Sequence, residues 1–266
     1  MAIDLVPLIS IVTVNRNDAD GLRRTLYSVM GQTFRDFEHI VIDGASSDSS
    51  VEVLAEYDSQ LSYWVSEPDG GIYNAMNKGI ANSRGRYLLF LNSGDHLAET
   101  TSLESAARHL ADVQIVYFDL EIRGPDSEER RIFSAPPVLS LGFFLESTLP
   151  HPSTFIASNL FAAFGPYDES MRIAADWKAF LLFVCKHECE YRHVPELLSI
   201  FYADGISSQQ HSLSVIRAER EKVLRSDFRS IVADIETGLK AKKELERLRR
   251  HIAIRILRRL GIIESF

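Results

Sequence analysis

Four polar segments follow four apolar runs in the first hundred residues, and each is rich in carboxylates or amides. They cover residues 15–18, 43–48, 67–71 and 92–95. The apolar runs are predicted to be strands of an open α/β sheet, in which ligands bind beyond the carboxyl ends of the strands. We therefore expect these four segments to line one binding crevice.

Asp43 ends the second apolar run and precedes Gly44 and the sequence Ser46-Ser47-Asp48. A carboxylate at this point could accept a hydrogen bond from a nucleobase imino group, while the residues after it cap a helix and order the loop. The alternative is that Asp43 only shapes the turn.

Asp95 ends the fourth apolar run and follows Gly94. A carboxylate placed there can project into the crevice and hold a divalent cation between itself and a diphosphate. An acidic protein needs such a cation to bind an anionic nucleotide, and this chain carries a net charge of −8. The alternative is an ordinary turn residue.

The segment after the first run, Val14-Asn15-Arg16-Asn17, contains no glycine. The dinucleotide-binding fingerprint and the P-loop both need glycine there, because their backbone amides approach phosphate closely. This argues against a Rossmann dehydrogenase and a P-loop NTPase. A sugar nucleotidyltransferase would need a Gly-rich loop with Arg and Lys at the same place, and the sequence lacks that as well.

Short apolar runs alternate with amphipathic stretches, which predicts βαβ units and a largely parallel sheet. Strands are predicted over residues 8–14, 38–43, 62–66 and 86–92, and helices over residues 19–32, 49–58, 71–83 and 173–187. Residues 123–150 are predicted to be a connection with an edge strand over residues 131–134. Residues 213–260 are predicted to be helical, with a break near Gly238.

The composition is that of an ordinary globular protein, with 266 residues, 45% of them hydrophobic and 25% charged. Disordered, collagen-like and disulfide-rich classes are therefore excluded. Cys185 and Cys189 lie four apart in an apolar stretch, so we expect reduced core residues on one helix face. The N-terminus has no signal-peptide pattern, and the longest apolar stretch, residues 179–185, is too short to span a membrane.

The charge is unevenly distributed. Nine basic and two acidic residues fall within residues 239–260, a local charge of +7, so the rest of the chain carries −15. An acidic body of this kind does not favour nucleic acid, because neutralising phosphates needs a cationic face. A basic tail on such a body suggests attachment to a surface.

Five segments, taken together and in this order, resemble the inverting glycosyltransferases of family 2. They are residues 9–15 (ISIVTVN), 42–48 (IDGASSD), 66–79 (SEPDGGIYNAMNKG), 91–95 (LNSGD) and 174–176 (AAD). The resemblance covers residues 8 to about 202 and implies a GT-A fold, a Rossmann-like, mostly parallel sheet flanked by helices. The long motif is similar to that of bacterial members that build exopolysaccharide or lipopolysaccharide.

The resemblance also implies roles for individual residues. Those similar to the family's contacts with the nucleotide sugar are Thr13, Asn15, Asp43, Asp69 and Ser93, with Asn77 and Lys78 near the ribose and diphosphate. Asp95 corresponds to the last aspartate of the Asp-x-Asp metal motif, of which the first carboxylate is missing here. Metal dependence is left open by this departure, although one carboxylate plus diphosphate oxygens can hold Mg²⁺ or Mn²⁺, which keep several waters.

Asp176 resembles the family's catalytic base. Direct displacement at an anomeric carbon requires one carboxylate to take the proton of the acceptor hydroxyl. Its neighbours Ala175 and Trp177 are apolar and would raise its proton affinity by desolvation. The alternative is a helix N-terminal carboxylate stabilised by the dipole.

Two further residues are candidates for contacts with an acceptor. His151 lies between two prolines and could bind the acceptor, a phosphate or a metal, or it could be an ordinary loop residue. Trp177 could stack on the face of an acceptor sugar or pack in the core.

The basic residues of segment 239–260 alternate with leucines and isoleucines at helical spacing. A basic amphipathic helix lies in the interface of an anionic membrane. The alternative is a solvated helix or one that forms a homo-oligomer.

These observations predict three parts of the chain. Residues 1–98 form the nucleotide-binding half and residues 99–210 the acceptor-binding half of a GT-A domain, and residues 211–266 form a C-terminal helical extension. We expect inverting transfer from a UDP- or GDP-sugar to a glycan or polyprenyl-linked acceptor, at the cytoplasmic face of the cell membrane. The alternative is a catalytically silent nucleotide-sugar-binding or assembly module.

Overall fold

The structure is a computed structural model that describes residues 6–111, 113–124, 130–203 and 212–250. The strands in these residues are β1 (Ile9–Asn15), β2 (Phe37–Asp43), β3 (Tyr63–Ser66), β4 (Tyr87–Phe90), β5 (His96–Leu97), β6 (Ile115–Arg123), β7 (Arg130–Phe133), β8 (Thr154–Ala157) and β9 (Tyr191–Tyr202).

The helices are α1 (Ala19–Met30), α2 (Ser50–Tyr57), α3 (Ile72–Ala81), α4 (Ser102–Ala107), α5 (Leu141–Glu146), α6 (Ser158–Phe164), α7 (Ala175–Cys185), α8 (Ser212–Asp227) and α9 (Arg229–Arg250). Short 3-10 turns cover Asp58–Gln60 and His151–Ser153. The chain divides into two compact units, Met1–Ile216 and Arg217–Phe266.

The strands form one sheet in the order β3-β2-β1-β4-β8-β6-β9-β5, and β7 pairs with β6. The first four strands in this order are parallel, as predicted, and their register places Asn15 opposite Asp43 and Asp43 opposite Ser66. All seven residues of β1 are buried, which is typical of a parallel strand covered on both faces.

Helices cover both faces of the parallel strands. Leu22 and Leu26 of α1 pack with Val41 of β2 in one apolar cluster. On the other face, Gly79 of α3 lies so close to Val12 of β1 that an added Cβ would overlap the valine side chain. This close approach fixes α3 against the sheet, with its first turn at the carboxyl edge.

The other half of the sheet is mixed, which differs from the mostly parallel sheet that was expected. β8 lies antiparallel between β4 and β6, β5 is antiparallel to β9, and β6 is parallel to β9. The sequence does not reveal that β8 is antiparallel to its neighbours. An antiparallel strand commonly alternates apolar and polar residues, but one that is buried on both faces reads as a continuous apolar run, like a parallel strand.

Three local predictions need correction. Residues 123–150 contain α5 in addition to the edge strand. Helix α9 runs through Gly238, because an exposed glycine costs a helix only about 1 kcal/mol. The helical segment is interrupted instead at the buried Phe228, between α8 and α9. Cys185 and Cys189 are free, as expected, but α7 ends at Cys185, so the two do not share a helix. The predicted tail beyond residue 250 lies outside the described residues.

Candidate active site

Asn15 and Asp43 form the polar centre of the carboxyl edge. Asn15 Nδ2 donates to Asp43 Oδ1 at 2.7 Å and to Ser50 Oγ at 2.9 Å. The backbone N–H of Ser46 and the hydroxyl of Ser66 donate to Asp43 Oδ2, at 2.9 and 2.6 Å. Asp43 is fully buried, and both of its oxygens are occupied by protein donors. Through these hydrogen bonds the Asp43 carboxylate, at the end of β2, links the ends of β1 and β3.

The charge of Asp43 is stabilised by these hydrogen bonds. Burial alone would raise the pKa of Asp43, but the donors from Ser46, Ser66 and Asn15 outweigh it, and the pKa lies below its ordinary value. A buried carboxylate with this many donors stays ionised. The edge of the sheet therefore carries a fixed negative charge.

The loop after β1 is tied to the loop after β2. The backbone N–H of Asn17 donates to Ser46 Oγ at 2.7 Å, and that of Ser47 donates to Asn17 Oδ1 at 2.8 Å. Asn17 and Ala45 both have φ of 53°, in the left-handed region. The two loops thus form one continuous wall beside Asp43.

Asp69 approaches the same wall from the loop after β3. Its Oδ1 accepts the backbone N–H of Gly71 at 3.0 Å, and its Oδ2 fills the space that a Cβ on Gly44 would need. Gly44 is therefore required for this contact. Asn15, Asp43 and Asp69 come together as predicted from the strand ends.

Ser93 and Asp95 lie at the end of β4, next to β1. The backbone N–H of Ser93 donates to the Val14 carbonyl at 3.1 Å, and Thr25 Oγ1 donates to the Asp95 carbonyl at 2.6 Å. Gly94, with φ of 95°, makes this turn. The turn is thereby anchored at the same edge as Asp43.

The described residues contain no group of three or more His, Cys, Asp or Glu that could hold a metal ion. A cation beside Asp95 would therefore have to take other ligands from a diphosphate and from water. Mg²⁺ is commonly bound in this way, through one or two carboxylates and substrate phosphates. Asp95 is 5% exposed and supplies one carboxylate, which is a ligand of the type that such a cation takes.

Thr13 lies in the core and not at the crevice. Its hydroxyl donates to the Leu91 carbonyl at 2.8 Å and lies 2.9 Å from His39 Nε2, and the residue is fully buried. Because a hydroxyl has one proton, His39 Nε2 must donate to Thr13. Burial lowers the pKa of His39 to about 3, so its ring is neutral. Thr13 was expected to contact a nucleotide, but its side chain has no exposed surface with which to do so.

Asn77 and Lys78 have protein partners that were not predicted. Asn77 Nδ2 donates to the Tyr167 carbonyl at 2.9 Å and to Glu169 Oε1 at 2.8 Å, and its Oδ1 accepts the Tyr167 N–H at 2.9 Å. Lys78 Nζ pairs with Glu67 Oε1 at 2.7 Å and remains one-quarter exposed. Asn77 holds a neighbouring loop, and Lys78 presents a cation beside the loop of Asp69.

Asp176 lies in the first turn of α7 and is half-buried. The phenol oxygen of Tyr73 lies 2.8 Å from Asp176 Oδ1 and 2.5 Å from the Ile173 carbonyl. Tyr73 belongs to the first turn of α3, which begins after the loop of Asp69. This contact brings Asp176 to the carboxyl edge of the sheet, and a helix N-terminus favours its negative charge.

His151 is buried beneath Asp176 in an aromatic cluster. Its ring stacks on Phe90 at 4.8 Å, and its Nε2 lies 2.9 Å from the Tyr167 hydroxyl. Burial lowers the pKa of His151, and the nearby Asp176 opposes this only partly. His151 thus supports the floor of the site as a neutral ring.

Trp177 packs in the core, which is the second of its two predicted roles. It is 1% exposed, and its Nε1 donates to the Phe144 carbonyl at 2.7 Å. No face of the indole is available for stacking on a sugar.

Sequence reasoning missed three residues that connect α3 to the loop before α7, namely Asn74, Tyr167 and Glu169. Asn74 Nδ2 donates to Glu169 Oε2 at 2.8 Å, parallel to the bond from Asn77. The available signal was the spacing of Tyr73 and Asn77, which lie one helical turn apart and therefore share a face of α3.

The sequence matches a family model described as "Glycosyl transferase family 2" over residues 10–165. An uncharacterized glycosyltransferase of Mycobacterium tuberculosis is 36% identical over 222 residues, which are 79% of this chain and 80% of that protein. A PGL/p-HBAD biosynthesis glycosyltransferase of the same species is 29% identical over 177 residues, 64% of this chain and 67% of that protein.

Two solved structures share the fold. Residues 1–349 of S. aureus TarS in complex with UDP superpose with a TM-score of 0.60 at 18% identity, covering 84% of this chain and 73% of that one. The mannosyltransferase PcManGT from Pyrobaculum calidifontis, in complex with GDP-Man and Mn²⁺, gives a TM-score of 0.59 at 15% identity, covering 81% and 62%.

Proposed function

This chain belongs to glycosyl transferase family 2 and has the GT-A fold, and we propose that it transfers a sugar, with inversion, from a nucleotide-diphosphate donor to an acceptor hydroxyl. The observation that carries the proposal is the contact of Tyr73 with Asp176, which brings a half-buried carboxylate to the sheet edge that holds Asp43 and Asp69. A glycan or a polyprenyl-linked sugar is the proposed acceptor.

The donor would lie along the loops of Asn15, Asp43, Asp69 and Ser93. TarS with UDP-GlcNAc and the mannosyltransferase with GDP-Man support a nucleotide sugar as the donor. Lys78 is one-quarter exposed beside the Asp69 loop and could neutralise a phosphate charge there. Because Asp43 is saturated with protein donors, a nucleobase would have to replace one of the serine hydroxyls that it now accepts.

Asp95 is the residue that would hold a divalent cation, Mg²⁺ or Mn²⁺. When bound, such a cation supplies positive charge that stabilises a departing diphosphate. The Mn²⁺ in the mannosyltransferase complex supports this role.

Asp176 acts as the general base in this proposal. The acceptor hydroxyl oxygen forms a bond to the anomeric carbon while its proton passes to an Asp176 oxygen. The bond between the anomeric carbon and the diphosphate oxygen breaks on the opposite face, and the nucleoside diphosphate leaves with that electron pair. A single displacement inverts the anomeric configuration.

The basic segment 239–260 would hold the enzyme at the cytoplasmic face of an anionic membrane. No helix in the described ranges, which end at residue 250, has the length and apolar character to cross a bilayer. The +7 charge of the segment and the half-exposed Leu245 of α9 support an interfacial helix. A lipid-linked acceptor would be reached from this position.

Two observations favour a second candidate, a nucleotide-sugar-binding module without activity. Asp95 has no neighbouring carboxylate in the motif, and the described residues hold no metal-binding cluster. A module of this kind would bind the donor and turn over none of it.

A donor panel distinguishes the two candidates. The protein is incubated with UDP- and GDP-sugars and Mn²⁺, with and without lipid-linked acceptors, and release of nucleoside diphosphate is measured. We expect turnover of one donor, at least a hundredfold loss with Asp176→Asn, and unchanged donor binding by thermal shift. Asp36→Asn, an exposed substitution before β2, is the matched control. Donor binding without turnover on any acceptor would favour the silent module.

A further inference from the structure

Tyr73 has two hydrogen-bond acceptors for one phenol proton. Its Oη lies 2.8 Å from Asp176 Oδ1 and 2.5 Å from the Ile173 carbonyl oxygen, and the residue is 4% exposed. At any moment the proton can be directed to only one of these oxygens. When that proton points to the Ile173 carbonyl, the phenol oxygen can accept a hydrogen bond from Asp176, provided that Asp176 carries a proton.

We propose that Tyr73 is a positioning residue that hydrogen-bonds Asp176 in both of its protonation states. When Asp176 is ionised, the phenol donates to Oδ1. When Asp176 has taken the acceptor proton on Oδ1, that O–H turns and donates to the Tyr73 oxygen, and the phenol proton turns to the Ile173 carbonyl. No proton is gained or lost by Tyr73 in this cycle. The inference rests on the proposed function, which assigns the role of base to Asp176.

Helix α3 is fixed to the loop that leads into α7, the helix of Asp176. The two oxygens of Glu169 accept the amides of Asn74 and Asn77, each at 2.8 Å, and Asn77 also pairs with both backbone groups of Tyr167. These bonds span the same two segments as the contact of Tyr73 with Asp176. The phenol is therefore held in place before substrate arrives, as positioning groups must be.

The groups around Asp176 make Tyr73 the suitable partner. Burial, followed by the charge of Asp176, holds the pKa of Tyr73 and of Tyr167 well above 10, and burial lowers the pKa of His151. These three groups stay neutral near pH 7. The nearby cation of Lys178 is paired with Asp168 at 2.7 Å. Asp176 is thus the group in this cluster whose charge changes during a proton transfer.

Tyr73→Phe in the full-length chain tests the inference, because it removes the hydroxyl and keeps the ring. We expect kcat to fall at least tenfold with the donor KM within twofold of wild type. The acidic limb of the kcat profile should move to higher pH, because the lost hydrogen bond to the ionised carboxylate is charge-assisted and stronger than the lost bond to the protonated form. The matched control is Tyr117→Phe, which removes a buried hydroxyl that donates to the Pro136 carbonyl at 2.6 Å. It should leave kcat and the limb unchanged.

A second measurement does not depend on turnover. The Asp176 carboxyl carbon is followed by NMR titration in wild type and Tyr73→Phe, with Asp176→Asn to assign the signal. A midpoint at higher pH in Tyr73→Phe supports the inference, and identical midpoints or an unchanged kcat overturn it. Failure of the proposed function would give a different result from failure of this inference. The wild-type chain would turn over no donor, while the NMR midpoints of wild type and Tyr73→Phe would still differ.

Discussion

Asn15 and Asp43 lie directly opposite each other at the carboxyl ends of β1 and β2, and the Asn15 amide donates to Asp43 Oδ1 at 2.7 Å. The strand register produces this pair without any contribution from the loops. Once it is formed, the remaining lone pairs of Asp43 recruit Ser46 and Ser66. One buried carboxylate thereby organises two of the four loops at the edge.

Asp43→Asn should destabilise the protein by about 1–3 kcal/mol at pH 7, because an amide group would face donors that now meet a carboxylate oxygen. The pKa of Asp43 is lowered in the folded protein, so its contribution is fully present above the unfolded value of about 3.9 and is lost as the pH falls through the folded value. The difference from wild type should therefore shrink in urea unfolding at pH 3.

The matched control for that substitution is Asp36→Asn, which changes an exposed carboxylate. It should change the free energy of unfolding by less than about 0.5 kcal/mol at either pH. Equal losses for Asp43→Asn at pH 7 and pH 3 would contradict the role given to the ionised carboxylate.

His39 should make the protein acid-sensitive. Its pKa is about 3 in the folded protein because it is buried, whereas the unfolded chain titrates near 6.5. The unfolded state binds the proton first, so stability is lost as pH falls from 6.5 toward 3, by up to about 1.4 kcal/mol per pH unit. His39→Gln keeps a donor for Thr13 and removes the titration. Urea unfolding at several pH values should give a shallower slope for the variant, and equal slopes would refute the assignment.

The sequence allowed the donor side of the site to be predicted because that side depends on local rules. Parallel strands present their carboxyl ends at one edge, so Asn15, Asp43 and Asp69 had to converge once the βαβ pattern was recognised. The saturation of Asp43 by serines was not predictable, because it depends on side-chain directions within turns.

The acceptor side depends on long-range contacts. Tyr73 and Asp176 are separated by 103 residues, and β8 enters the sheet between β4 and β6 before α7 begins. Neither the hydrophobic periodicity nor the spacing of motifs in the sequence predicts where β8 enters the sheet. Trp177 shows the same difficulty, since an aromatic residue beside a candidate base is equally consistent with a sugar platform and with the core.

Gly79→Ala should destabilise the protein by about 1–3 kcal/mol, because the added Cβ overlaps Val12 and α3 must move away from β1. Such a movement displaces Tyr73 and Asn77, so we also expect lower turnover. The control is Gly238→Ala in α9, where nothing lies within 4 Å of an added Cβ. That change should stabilise by up to about 1 kcal/mol. Urea unfolding measures both, and a neutral Gly79→Ala would contradict the tight packing of α3.

Removing charge from the basic segment should weaken membrane binding. Each cation near an anionic surface contributes about 1 kcal/mol, which is roughly a fivefold change in partitioning. Replacing Arg255, Arg258 and Arg259 with Gln in the full-length chain should lower co-sedimentation with phosphatidylglycerol vesicles about a hundredfold. The exposed Arg35, Arg86 and Arg108, changed together to Gln, serve as the control for net charge. Unchanged co-sedimentation of the first variant would remove the membrane proposal.

Asp95→Asn should weaken the binding of Mn²⁺ more than that of the nucleotide. The single carboxylate at the end of β4 would share the cation with a diphosphate, so metal affinity should be measurable only with UDP or GDP present. We expect isothermal titration calorimetry to show at least a tenfold weaker Mn²⁺ affinity for Asp95→Asn, and EDTA to abolish turnover of the wild-type chain. Asp20→Asn, an exposed change in the first turn of α1, is the control. Full turnover in EDTA would mean that the diphosphate charge is met by protein cations such as Lys78, and Asp95 would then lose the role of metal ligand.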